Sequence, residues 1–105
     1  MSNVLNTFGL LIKNKRNEVK KTLSEVFFDL KIDAAILSKI ERGERIATKK
    51  QVLDFINYYR LDEQEAFSVW LSERILKEYK SEKYILDAFK VAEQEVEYHQ
   101  VPSNY

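Results

Sequence analysis

The sequence predicts an all-α fold, and three observations point there. The chain of 105 residues carries only two glycines and one proline, too few for the many tight turns of a sandwich or barrel. Apolar residues recur at three- and four-residue spacing along most of its length, the period of one helical face. Thr and Asp residues able to cap a helix stand just ahead of those periodic stretches. With 45% apolar and 32% charged residues, the composition is that of a soluble chain with one modest core.

The elements follow in order. Leu5, Phe8, Ile12 and Val19 share a first helical stripe, with Arg16 standing where an apolar residue is expected. Thr22 caps a second helix, and Glu25 three residues later completes a capping box. That helix is expected to bury Val26, Phe27 and Leu30, and Lys31-Ile32 makes a short link. Asp33 caps a third helix carrying Leu37 and Ile40. Gly43 stops it, because glycine takes the left-handed conformation of a helix end at little steric cost. Thr48 caps a fourth helix bearing Val52, Phe55, Ile56 and Tyr59. Asp62 opens a fifth with Phe67, Trp70, Leu71, Ile75 and Tyr79, and residues 82 to 98 form a sixth with Ile85, Phe89, Ala92 and Val96 on one stripe. The tail VPSNY reads as frayed. No internal repeat or low-complexity segment interrupts the pattern.

The formal net charge is zero, but the charges are segregated. Residues 1 to 61 hold twelve Lys and Arg against seven Asp and Glu, whereas residues 62 to 105 hold five against ten. A basic half joined to an acidic half suits an anionic partner for the first half alone.

Several chemistries are disfavoured. With no cysteine there is no disulfide or thiolate–metal site, which fits a reducing cytoplasm. No long apolar run follows a basic N-terminus, so neither a signal peptide nor a membrane span is expected. His99 is the single histidine and reads as solvated surface; no metal site is expected. Tyr58, Tyr59, Tyr79 and Tyr84 have helical spacing and read as packing rather than base stacking. Glu93, Glu95 and Glu97 alternate, so they cannot share one helix face and read as acidic surface. No phosphate-binding glycine loop and no nucleophile with a base occurs. The expectation is a protein that is not an enzyme, with no cofactor and no small-molecule ligand.

The short second and third helices, about three residues apart, have the dimensions of a helix-turn-helix. Residues 8 to 67, from FGLLIKNKR through LSKIERGER to LDEQEAF, resemble the helix-turn-helix domain of phage repressor, Cro and XRE-type regulators, over more than half the chain and without a gap. LSKIERG is the specific part. In that family the glutamate of this segment pairs with an arginine of the first helix; here these are Glu41 and Arg16, which accounts for the arginine on the apolar stripe.

The resemblance implies a five-helix repressor-like DNA-binding domain over residues 1–67. A helical extension at 68–98 supports dimerisation, and 99–105 form a flexible tail. It implies that residues 33–41 are a recognition helix in the major groove, with Ala34, Ala35, Ser38 and Lys39 at base-reading positions. Alanine can pack on a thymine methyl, serine is permissive, and lysine can donate to guanine. Phosphate contacts would come from Lys31, Arg42, Arg45, Lys49 and Lys50; Lys13 and Lys15 of the KNKR run read equally as solvated. The dimer contact would draw on Trp70, Leu71, Ile75, Tyr79, Ile85, Phe89, Ala92 and Val96.

Three positions depart from the family pattern. Leu23 replaces a phosphate-touching glutamine, Phe27 a small residue, and Lys31 the glycine of the turn. Phe27 implies altered packing between the second and third helices, and Lys31 implies a changed turn or a strained backbone. The function expected is a sequence-specific regulator that binds double-stranded DNA as a homodimer. Its compact form resembles controllers of restriction-modification operons, prophage repressors and antitoxins, and the first of these is the reading adopted. The rival is a protein-interaction module of the same fold without DNA binding, which Leu23 and the two alanines favour.

Overall fold

A computed structural model describes residues 7–100; Leu5 and the VPSNY tail lie outside the described residues. Among the described residues there are six helices and no strand: α1 (Phe8–Glu18), α2 (Leu23–Leu30), α3 (Ala34–Glu41), α4 (Lys49–Tyr59), α5 (Glu63–Tyr79) and α6 (Ile85–Gln100). None of these helices is long and apolar enough to cross a membrane.

Local chemistry sets most of the helix starts. Thr7 accepts the Leu10 amide at the head of α1. At α2 the Thr22 hydroxyl accepts the Glu25 amide while the Glu25 carboxylate accepts the Thr22 amide, a reciprocal capping box. Thr48 and Gln51 repeat the arrangement at α4. One oxygen of Asp33 accepts the Ala35 and Ile36 amides at 2.8 and 3.3 Å, which starts α3.

The helix ends are less conventional. Gly43 (φ 77°) closes α3, its amide donating to Ile40 O and the Glu44 amide to Lys39 O, the paired bonds of a Schellman motif. Three further left-handed positions are basic: Lys20 after α1, Lys31 after α2 and Arg60 after α4. A side chain in that conformation costs about 1–2 kcal/mol. A cation at a helix C-terminus offsets some of this, by about 0.3–1 kcal/mol. The turn between α2 and α3 is therefore made by a lysine at φ 61°.

The described residues divide into two compact units, and the division falls inside α5, between Arg74 and Ile75. Trp70 and Glu73 belong to the first unit through contacts far away in sequence. Trp70 is 6% exposed, and its indole N–H donates to Ala47 O at 2.7 Å. It is a core residue, which removes it from the surface expected to make a dimer contact. Glu73 accepts the Phe8 amide at 3.0 Å, satisfying an otherwise unpaired donor at the start of α1.

The core of the first unit gathers Phe8, Ile12, Val26, Leu37, Ile40, Val52, Phe55 and Tyr59 with Ala66 and Trp70. Phe55 lies 5.8 Å from Phe8 and stacks on Tyr59 at 6.2 Å between centroids. Gly9 lets α1 close down on α3: a Cβ there would lie 2.1 Å from Ile40 O and 2.9 Å from Glu41 O.

Other expectations change. Phe27 is 45% exposed; Val26 is the buried residue of α2, and one residue further turns the ring about 100° out to solvent. Val19 is half-exposed because α1 ends at Glu18. The sixth helix starts at Ile85 rather than at 82, since the Glu82 amide donates to Tyr79 O and the Ile85 amide to Glu82 O in a turn. Tyr59 is packed and Tyr58 partly so, but Tyr79 and Tyr84 are exposed.

In the second unit none of residues 75–99 is buried. Ile75, Tyr79, Tyr84, Ile85, Phe89 and Ala92 line an open apolar groove of about 460 Å³.

Candidate nucleic-acid interface

The outer surface of α3 is defined by what α3 buries. Leu37 and Ile40 enter the core, which leaves Ala34, Ala35, Ser38 and Lys39 on the opposite face. Ala35 and Lys39 are exposed, and Ala34 and Ser38 are partly exposed. The structure brings these four positions together on one side of α3.

Beneath them α3 is fixed to α1 by a charged clasp. Arg16 Nε donates to Glu41 Oε2 at 2.7 Å and Nη2 donates to Oε1 at 3.0 Å. Nη1 donates to Lys21 O at 2.8 Å, at the end of α1. The two side chains are 14% and 6% exposed. The hydrogen bonds from Arg16 to Glu41 raise the guanidinium pKa further, against desolvation. Tyr59 lies in the same neighbourhood. Burial pushes its phenol far above the ordinary range, with the charge of Glu41 adding to the shift.

The cations expected to meet phosphates are in different situations. Arg45 and Lys49 make no ion pair among the described residues, and neither does Lys39 at its base-reading position. Lys50 Nζ lies 3.1 Å from Asp54 in an exposed pair of α4, worth little in water. Lys31 Nζ stands 4.4 Å above the Phe28 ring. Arg42, at the end of α3, is held by both oxygens of Glu44, Nε at 2.8 Å and Nη2 at 3.1 Å, while Nη1 donates to the Ser38 hydroxyl. These bonds from Arg42 hold the Glu44 carboxyl below its usual value; the charges of Arg42 and Lys39 add to this against some desolvation.

Sequence reasoning missed Glu44, which touches two of the expected contact residues. Its only signal was a carboxylate within two positions of Arg42. It also missed the Asp29 junction, where Tyr58 donates its hydroxyl to Asp29 and Lys21 Nζ donates to the same carboxylate at 3.2 Å. This ties α2 to α4 and to the turn after α1.

Compared with known proteins, the chain matches no family model, no curated protein and no solved structure. A functional reading therefore rests on the geometry of α2, α3 and the surrounding cations, with the resemblance of LSKIERG beside it.

Proposed function

We propose that the protein is a sequence-specific, double-stranded DNA-binding transcriptional regulator that acts as a homodimer, with α3 as its recognition helix. One observation carries the reading. Two eight-residue helices, α2 and α3, are joined by a three-residue turn, and α3 turns two methyl groups, a hydroxyl and a lysine outward, with further cations in the segment that follows. Such a face suits the methyl and acceptor groups of a major groove, and the cations suit its phosphate walls. The basic surplus of residues 1–61 has the sign this needs. Among regulators of this type, control of a restriction-modification operon is the role proposed; a neighbouring methyltransferase or endonuclease gene would decide it.

The homodimer is supported by the second unit. Tyr98, Val91, Tyr84, Ala88, Ala92, Ile85, Val96 and Phe89 occupy about half the circumference of α6 and its approach, taking 3.6 residues per turn. That face is too broad for one hairpin to cover, and residues 75–99 leave it in water. A second copy supplies the same apolar face. Leu71, Ile75, Tyr79, Ile85, Phe89, Ala92 and Val96 are the residues proposed for the contact. Truncation after Lys80 should yield a monomer in sedimentation; a truncated chain that stays dimeric would remove α6 from the contact.

Selection of binding sites from random duplex DNA tests the whole reading. A selected site with two half-sites about 34 Å apart is expected. Lys39→Ala should relax preference at one base pair, at a cost of about 1–3 kcal/mol. Lys49→Ala should weaken all sequences alike and lower the salt slope by about one. Absence of any salt-sensitive binding would instead leave the protein-interaction module.

A further inference from the structure

Asp33 caps α3 with one of its two carboxylate oxygens. Oδ1 accepts both the Ala35 and the Ile36 amides, at 2.8 and 3.3 Å. Oδ2 accepts no hydrogen bond and joins no ion pair among the described residues. The ammonium of Lys31, two positions earlier, is drawn instead over the Phe28 ring, 4.4 Å from its centre. Asp33 is exposed, at the end of α3 that also carries Ala34 and Ala35. Those two side chains are single methyl groups, so nothing bulky holds this end away from the floor of a groove.

We propose that Asp33 is a further base-reading residue, whose Oδ2 accepts from the N4 amine of a cytosine in each half-site. The inference rests on the DNA-binding reading above and deepens it by naming a base. Residues at the N-terminal end of a recognition helix are the ones that meet base edges. A carboxylate has acceptors and no donor. The major groove offers it two kinds of donor, the N4 amine of cytosine and the N6 amine of adenine; guanine and thymine present the acceptors N7, O6 and O4. On adenine the free N–H of the amine lies beside N7, an acceptor that repels a carboxylate. On cytosine its neighbour is the C5–H, which does not. The charge that phosphates would repel is offset by the positive end of the helix that Asp33 caps. Asp33 is thus a specificity-determining residue as well as a cap.

The experiment puts the unmodified protein, Asp33→Asn and Asp33→Ser through site selection and through titration of the selected duplex. Asparagine and serine cap helices about as well as aspartate, so both variants should keep α3, and unchanged thermal midpoints would verify it. The unmodified protein should select a C·G pair at a position where both variants lose that preference. Replacing this pair by T·A puts a carbonyl where the amine was. The unmodified protein should then bind roughly 5- to 150-fold more weakly, the range of one mismatched pair. Two probes need no variant. N4-methylcytosine, whose methyl takes the place of the free N–H, should cost a similar factor, and 7-deazaguanine opposite the cytosine should cost nothing.

The proposal is overturned if both variants keep every preference of the unmodified protein while binding all duplexes alike more tightly. Asp33 would then be a cap and nothing more. It is also overturned if the position that changes carries an A·T pair, or if 7-deazaguanine weakens binding and N4-methylcytosine does not, which would assign the contact to guanine. Failure of the underlying reading looks different: the unmodified protein would then show no salt-dependent binding to any duplex.

Discussion

Arg16→Met should be among the most damaging single changes in the first unit. The side chain makes two bonds to Glu41 and one to Lys21 O. Methionine fills most of the space but leaves a 6% exposed carboxylate without its cation. Stranding one member of a fully buried pair costs about 3–5 kcal/mol. Because 14% of the arginine side chain reaches water, solvent screening lowers the expected loss to about 2–4 kcal/mol. With a urea m-value near 1 kcal/mol/M, the low end expected of a small domain, the midpoint should fall by roughly 2–4 M. Lys13→Met, on the exposed side of the same helix, should stay within about 0.5 kcal/mol. The double variant Arg16→Met, Glu41→Leu should recover part of the loss, since it removes the stranded charge. The assay is urea unfolding followed by far-UV circular dichroism, with m-values compared to ensure the same transition is read. Equal midpoints for Arg16→Met and Lys13→Met would refute the reasoning.

Three further outcomes are expected. Gly9→Ala adds a methyl where the carbonyls of Ile40 and Glu41 already touch α1; overpacking of about 1–3 kcal/mol should exceed the roughly 1 kcal/mol gained in helix propensity, and a raised melting temperature would contradict this. Lys31→Gly removes the left-handed side chain but adds freedom to the unfolded chain, for a net gain of about 0.5–1 kcal/mol. The same variant should lower the DNA salt slope by about one if Lys31 meets a phosphate, so stability and binding should move in opposite directions. Tyr59 has a raised pKa in the folded chain, so its contribution is complete below the unfolded value of about 10 and is lost as pH rises toward the folded value. Tyr59→Phe should flatten the alkaline limb of the stability curve, and an unchanged limb would show that another group governs it.

What could be read from the sequence was what local chemistry decides. The Thr22–Glu25 box, the Asp33 cap, the Thr48 start and the Gly43 stop all act within five residues, and each lies where it was expected. Arg16 and Glu41 are 25 positions apart, and they were joined only through the LSKIERG resemblance. Trp70 shows where pattern fails. Its stripe is shared with Leu71 and Ile75, and nothing in that stripe tells which member meets a carbonyl 23 residues upstream. Gly9 is a similar case, since a glycine inside a helix reads as a weak point until the opposing backbone is known. Phe27 is expected inside with Val26 and Leu30 as an apolar residue of α2, yet its angular position one residue past Val26 decides its exposure. The Glu44–Arg42–Ser38 chain depends on rotamers, which spacing does not encode.

The close approach of Gly9 to α3 has a consequence for amide exchange. Helix ends ordinarily fray, because their last carbonyls have no partner within the helix. Here the carbonyls of Ile40 and Glu41 are covered by the backbone of α1, and the Gly43 and Glu44 amides are tied back to Ile40 and Lys39. Opening this end requires α1 to lift away, so the Gly43 and Glu44 amides should exchange by sub-global opening rather than by local fluctuation. Their protons should outlast those at the start of α3, where Ala35 and Ile36 rely on one exposed carboxylate. The helix is pinned at its C-terminal end and looser at the end that carries Ala34 and Ala35.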